Sequence, residues 1–102
     1  MKTKRRVSFA ESAVVDLEEI RLWYADQHAP DIGERIVRDV VTQAERLARF
    51  PGSGRLVPEF ASPELRELIR PPYRIVYRLD DRRVRVVRVW RSERLMETQP
   101  DE

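Results

Sequence analysis

The chain changes its hydrophobic period once, and a cluster of helix breakers marks the place. From Glu11 to Leu47 apolar residues recur at helical spacing, and from Leu65 to Trp90 they come in short β-branched runs. Between the two lies Phe50-Pro51-Gly52-Ser53-Gly54-Arg55. Proline and two glycines in four positions cannot continue a helix, and they supply turn conformations. Helices grouped early and strands grouped late do not make alternating βαβ units. They predict an α+β fold, in which an antiparallel helical hairpin packs on one face of a small, curved, mainly antiparallel sheet, in the order β-α-α-β-β-β.

Arg5 to Ala10 reads as a short first strand. In the first helix Ala13, Leu17, Ile20 and Tyr24 fall at i, i+4, i+7 and i+11, and Val14 and Trp23 are expected to widen that stripe. Pro30 restricts Ala29 to extended conformations, so this helix should fail near His28. A second helix opens at Asp31, with Ile32, Ile36, Val40, Ala44 and Leu47 as its apolar stripe. Glu34/Arg38, Arg35/Asp39 and Glu45/Arg49 are spaced i, i+4 and support a solvent-facing side. Leu56 to Pro63 is irregular, because Pro58 and Pro63 argue against a central strand. Three strands follow, at Leu65–Arg70, Tyr73–Leu79 and Val84–Trp90. A rigid Pro71-Pro72 turn separates the first two, and a hairpin loop at Asp80-Asp81-Arg82-Arg83 the last two. Val86, Val87 and Val89 point to both faces of the last strand. Either both sheet faces are covered, or a partner completes the second.

A chain of 102 residues is expected to form one domain over 1–102, with its core at about 5–95 and a flexible tail at 96–102. Without cysteine there is no disulfide and no thiolate site, and with a single histidine no metal is expected. Gly33, Gly52 and Gly54 do not make a phosphate-cradling loop, so no cofactor is expected either. No segment approaches the ~18 apolar residues of a membrane span, and the first residues lead into a strand-like run rather than a signal-peptide core. A cytoplasmic protein without membrane contact is the expectation.

The net charge of +2 hides an asymmetry. Glu11 to Glu34 holds seven acids with Arg21 as the sole arginine before Glu34, whereas Leu65 to Arg94 holds ten arginines against four acids. Each guanidinium is a planar fork that matches an oxyanion pair, so the basic third suits an anionic partner. Alternatively the halves neutralise one another, with Arg74, Arg78, Arg85 and Arg88 pairing to Asp16, Glu18 and Glu19.

Five short motifs occur in a fixed order. Ala13, Asp16, Leu17, Ile20 and Tyr24 follow A-x-x-D-L-x-x-I-x-x-Y, with Tyr24 displaced by one and Trp23 in the expected place. L-A-x-F-P-x-x-G-R runs from Leu47 to Arg55, followed by Pro58-Glu59. L-R-E-L stands at Leu65 to Leu68, Y-R-I-V-Y-R at Tyr73 to Arg78, and a valine-rich strand at Val84 to Val89. From about Val7 to Leu95 the chain resembles the RelE/ParE toxin superfamily of bacterial type II toxin–antitoxin modules. The resemblance implies a growth-inhibiting toxin of the plasmid-stabilisation type, held in a hetero-oligomer by a cognate antitoxin. RelE-like members cleave messenger RNA in the ribosomal A site without a metal, whereas ParE-like members poison DNA gyrase.

Side chains separate the two branches. Metal-free cleavage by a 2′-hydroxyl needs a base, an acid and cations, each acid–base participant contributing about 10²- to 10⁴-fold. Arg66, Arg74, Arg88, Arg91 and Arg94 could supply charge, with Glu59 as an unorthodox base and Tyr73 as a further nuclease candidate. The nuclease branch, however, usually carries lysines on the second helix and a Tyr or His near the C-terminus. Here the lysines are Lys2 and Lys4, nothing after Tyr77 is Tyr, His or Lys, and Trp90 stands where relatives carry histidine. His28 reads as a solvated turn residue, and Glu59 equally as a salt-bridge partner of Arg55 or Arg74. Tyr73 and Tyr77 share a strand face and suit core or interface packing. The ParE-like branch is therefore expected, a non-catalytic gyrase inhibitor rather than an enzyme. Arg74, Arg88, Trp90, Arg91 and Arg94 would meet its target. Leu17, Ile20, Trp23, Tyr24, Val87 and Val89 would meet the antitoxin, through a groove or an added edge strand. Ordinary core packing is the alternative for Trp23, and a non-toxic basic binding module the alternative for the whole.

Overall fold

A computed structural model describes residues 4–92. The elements are β1 (Arg6–Phe9), α1 (Glu11–Asp26), α2 (Pro30–Arg46), β2 (Arg55–Leu56), β3 (Leu65–Arg70), β4 (Tyr73–Leu79) and β5 (Arg83–Arg91). The architecture is α+β, as the early-helix, late-strand order predicts. Sheet order is β1-β5-β4-β3-β2, with β1 parallel to β5 and every other pair antiparallel. Arg55–Leu56, expected to be irregular, adds a short edge strand against Glu67 and Arg66.

Ala13, Leu17 and Ile20 of α1 and Ile36, Val40, Ala44 and Leu47 of the second stripe are buried against Tyr73, Ile75, Tyr77, Val84, Val86 and Val89. Each buried leucine, isoleucine or valine among them contributes roughly 1.5–3 kcal/mol of apolar burial. Three expected stripe members are not in this core: Val14, Trp23 and Ile32 stay about half exposed. The reason is angular. Val14 and Trp23 lie roughly 100° to either side of the Ala13–Ile20 line, and a sheet beneath a helix covers less than that arc. Gly33 is where the two helices meet most closely, since a Cβ there would lie 3.0 Å from Tyr24 Cβ.

The helix connection turns at His28, which adopts φ 60° and is exposed. Helix α2 starts one residue before the expected Asp31, with Pro30 in its first turn, where a missing N–H costs nothing. Of the expected i, i+4 pairs, Glu34 instead binds Arg21 across the hairpin and Asp39 binds Arg70.

The two-sided valines have an internal explanation. A β-bulge interrupts the β4–β5 register, with Val76 opposite Arg88 and Tyr77 opposite Val86, leaving Val87 as the extra residue. Val86 and Val89 therefore face the helices while Val87 faces away. Val87 joins Val57, Leu65, Val76 and Trp90, with Phe60 packed beside them, in a second core on the far face. The loop that carries Val57 and Phe60 supplies part of this cover, so no partner is needed to bury these valines. Strand β5 is also interior, flanked by β1 and β4, and offers no edge to an incoming strand.

Candidate functional site

The sheet face turned away from the helices carries an ionic network set by strand alternation. Leu65 and Glu67 of β3 share a row, as do Arg74 and Val76 of β4, and Glu67 sits beside Arg74 in a buried position. Arg74 Nε donates to Glu67 Oε1 at 2.7 Å, and its two terminal nitrogens each donate to one Glu59 oxygen at 2.8 Å. Arg55 closes the chain by donating from Nε to Glu67 Oε2 at 2.7 Å. Arg74 is 4% exposed and the Glu67 side chain 0%. The hydrogen bonds from Arg74 to Glu59, and then those to Glu67, raise the Arg74 pKa and keep it charged at any working pH.

A second knot ties the Pro-Gly turn to β4. The Tyr77 hydroxyl donates to Pro51 O at 2.7 Å and accepts from Gly54 N–H at 3.0 Å. Burial pushes the Tyr77 pKa up, against the opposing Gly54 hydrogen bond. A Cβ on Gly54 would sit 2.6 Å from that hydroxyl, so only glycine fits there. Arg66 donates to Gly54 O at 3.0 Å, and its Nε is buried with no acceptor among the described residues. A third knot joins α1 to β5. Arg88 Nε and Nη2 grip the two oxygens of buried Asp16 at 2.8 and 2.9 Å, and Asp16 also accepts Val89 N–H at 2.8 Å.

The sequence motifs therefore interlock. A-x-x-D-L supplies Asp16, F-P-x-x-G-R supplies Gly54 and Arg55, P-E supplies Glu59, L-R-E-L supplies Glu67, and Y-R-I-V-Y-R supplies Arg74 and Tyr77. Residues 7–96 match the sequence profile of the ParE toxin of type II toxin-antitoxin system, parDE. The chain belongs to the ParE toxin family. It is a toxin of the type II toxin–antitoxin class within the RelE/ParE superfamily.

Relatives fall on both sides of the superfamily's naming. Toxin RelE2 of Caulobacter vibrioides is 39% identical over 84 residues, covering 81% of this chain and 90% of that protein. The chromosomal ParDE TA system from P. aeruginosa contains a chain of the same fold, with TM-score 0.72 at 24% identity over 88% of this chain and 98% of that one. The toxin–antitoxin complex RelBE2 from Mycobacterium tuberculosis gives TM-score 0.65 at 26% identity over 86% and 98%.

The remaining candidate residues divide by exposure. Of the target-binding set, Arg74 and Arg88 are held by carboxylates, and Trp90 is buried in the second core with the Arg88 guanidinium 4.3 Å from its ring centroid. Arg91 is exposed and lies 5.8 Å from the Tyr73 ring centroid, whereas Arg94 lies outside the described residues, as does the expected tail. Burial, then a hydrogen bond with Tyr24, raises the Tyr73 pKa. Of the antitoxin set, Leu17, Ile20, Val87 and Val89 are buried within the chain's own two cores and present no surface. Trp23 and Tyr24 remain, with their rings edge to face at 4.8 Å. Beside them α1 exposes Leu22 and Val15, at 63% and 49%. Sequence reasoning passed over these two, although their i, i+7 spacing on the side opposite Ala13 and Ile20 is visible in the sequence. It also passed over Glu67, whose place in the Leu65 row puts an acid where alternation calls for an apolar residue.

Proposed function

We propose that this toxin is a non-catalytic, ParE-like inhibitor of DNA gyrase, neutralised by a cognate antitoxin. The observation that carries the reading is the state of Glu59. The sequence's candidate base is gripped by both terminal nitrogens of Arg74, at 2.8 Å each, and proton abstraction would have to break that bidentate pair. Arg88, a candidate for charge stabilisation, is committed to Asp16 in the same way. On the surface lie exposed Arg91 and the partly exposed Arg78 and Arg85, suited to an acidic protein face, and the outer side of α1, suited to the antitoxin.

That outer side has a definite chemistry. Val15, Leu22 and Trp23 form an exposed apolar strip among Glu11, Glu18, Glu19 and Asp26. An amphipathic helix with an apolar stripe and flanking basic residues would complement it. The neighbouring structures are complexes of a toxin with its antitoxin, which supports such a partner here.

A second reading has its own support. Tyr24, Tyr73 and Arg91 gather at one end of the sheet, where a phenol and a guanidinium could serve a ribosome-dependent messenger RNA endoribonuclease. The name of the Caulobacter relative points the same way. Two assays on the purified chain separate the readings: gyrase supercoiling with cleavage-complex formation, and messenger cleavage in a translating extract. Stalled gyrase with intact messenger supports the first reading. Cleaved messenger with normal supercoiling refutes it.

A further inference from the structure

One end of the sheet carries a charge arrangement that lies apart from the antitoxin strip and shares only Arg78 and Arg85 with the target surface. The segment entering β1 and the β4–β5 turn line an open cleft of about 920 Å³, with Lys4, Arg5, Arg6, Arg82 and Arg83 on its walls. Asp80 and Asp81 are the acids of that lining. Asp80 is engaged inside the turn: one carboxylate oxygen accepts the backbone N–H groups of Arg82 and Arg83 at 2.8 and 2.6 Å. Those bonds lower its pKa, and Arg5 Nε donates to its carbonyl at 3.0 Å. The acid shapes the loop and also lies 3.6 Å from Arg83 Nε, while Lys4, Arg6 and Arg82 are exposed around it.

The backbone forces two arginine doublets together. Arg6 N–H donates to Arg82 O at 3.0 Å, and the parallel register sets Arg6 opposite Arg83. One step along, Arg78 stands opposite Arg85. Like charges directly opposite on paired strands are destabilising, here with Glu64 3.8 Å from Arg78 and Asp80 3.6 Å from Arg83 as the nearest counter-charges. A chain that only needed solubility would alternate signs at these positions. A second hollow, lined by Ser8, Arg78, Arg83 and Arg85 together with Asp80, continues the positive surface across three strands. Such an arrangement is favourable once polyanionic charge lies over it.

We infer that this basic end of the sheet docks the phosphate backbone of duplex DNA. Duplex is favoured over single strands because no aromatic side chain lines the cleft among the described residues. Sequence-tolerant single-strand binders rely on base stacking, whereas duplex backbone is held by cations alone. The inference does not rest on the choice between gyrase and messenger RNA as target.

The test is fluorescence anisotropy of the full chain with a labelled 20-base-pair DNA duplex across a salt series. The variants are Arg6→Gln/Arg82→Gln, both exposed and held in register by backbone bonds, and the control Arg35→Gln/Arg38→Gln on the exposed side of α2. Thermal melting shows that each variant folds. Each lost phosphate contact lowers the log–log salt slope by about 0.9, so the first variant should lose about 1.8 of slope and about tenfold or more in affinity at low salt. The control should change less than about twofold, since it removes charge away from the cleft. Equal losses in the two variants, or no duplex binding by the parent chain, overturn the inference. So does binding of a duplex RNA of the same sequence about tenfold tighter than the DNA.

Discussion

Replacing Arg74 with methionine should unfold much of this protein's margin rather than blunt one contact. The substitution removes the Nε bond to Glu67 and both terminal bonds to Glu59. Glu67, at 0% side-chain exposure, is left with Arg55, whose side chain is 61% exposed and partly hydrated. Removing one partner of a buried pair costs about 3–5 kcal/mol. Glu59 is 19% exposed and can rehydrate, which places the loss near the lower end, about 3 kcal/mol. Against a total of about 5–15 kcal/mol for a domain of this size, that is a large fraction. Urea unfolding followed by circular dichroism should show a midpoint about 1–3 M lower with an unchanged slope. Adding Glu67→Leu should recover part of the loss, because no carboxylate then stays buried opposite a missing cation. A single variant that loses less than about 1 kcal/mol would refute the reasoning, since an exposed pair is worth no more than that. If toxicity vanished while stability held, Arg74 would return to the target-binding surface.

Gly54→Ala should destabilise by about 1–3 kcal/mol or more, because its Cβ would meet Tyr77 Oη at 2.6 Å and Glu67 O at 2.7 Å; thermal melting measures it. Tyr77 has a raised pKa from burial, so its neutral form is the one favoured by folding. The unfolded chain therefore releases this proton first, and stability should hold below about pH 10 and decline above it. Tyr77→Phe should make that alkaline decline shallower in urea titrations at stepped pH, and an identical decline would count against the assignment. Leu22→Ser/Trp23→Ser should leave stability within about 0.5 kcal/mol, since both side chains are exposed. The same pair should weaken binding of the cognate antitoxin by about thirtyfold or more in calorimetric titration, as central apolar anchors do.

Much of the backbone was legible because local rules dominate it. The breaker at Phe50 to Arg55 and the double proline at Pro71-Pro72 bound their neighbours almost to the residue, and β3 and β4 fall where alternation and turn chemistry put them. The parallel pairing of β1 with β5 was not legible, since it joins residues more than seventy positions apart and leaves no local trace. The bulge at Val87 was visible only as faulty alternation, which a partner would have explained equally well. Side-chain roles were harder still. Arg74, Arg78, Arg85 and Arg88 look alike in sequence, yet Arg74 meets Glu59 and Glu67, Arg88 meets Asp16, and Arg78 lies 3.8 Å from Glu64. Which arginine is structural depends on acids that arrive from other elements, and only the fold decides that.

A consequence follows for how the two branches of this superfamily can be told apart. The motif residues hold one another: Gly54 against Tyr77, Arg55 with Glu67, Glu67 with Arg74, Arg74 with Glu59, and Asp16 with Arg88. A scaffold held together this way serves a gyrase inhibitor and a ribonuclease equally, and it carries no information about the target. Variants at these positions should lose toxicity by losing the fold, under a gyrase reading and a ribonuclease reading alike. Discrimination has to come from side chains that the scaffold leaves on the surface, such as Arg91 beside Tyr73, the paired arginines of β1, β4 and β5, and the Leu22–Trp23 strip. Arg91→Gln is the sharpest of these, because Arg91 is exposed, lies in the last strand, and pairs its guanidinium with the Tyr73 phenol. If that variant keeps its fold and loses gyrase inhibition while messenger stays intact in both forms, Arg91 acts as a surface contact to the target and has no catalytic part; messenger cleavage by the parent chain that the variant loses would give the phenol and guanidinium that part instead.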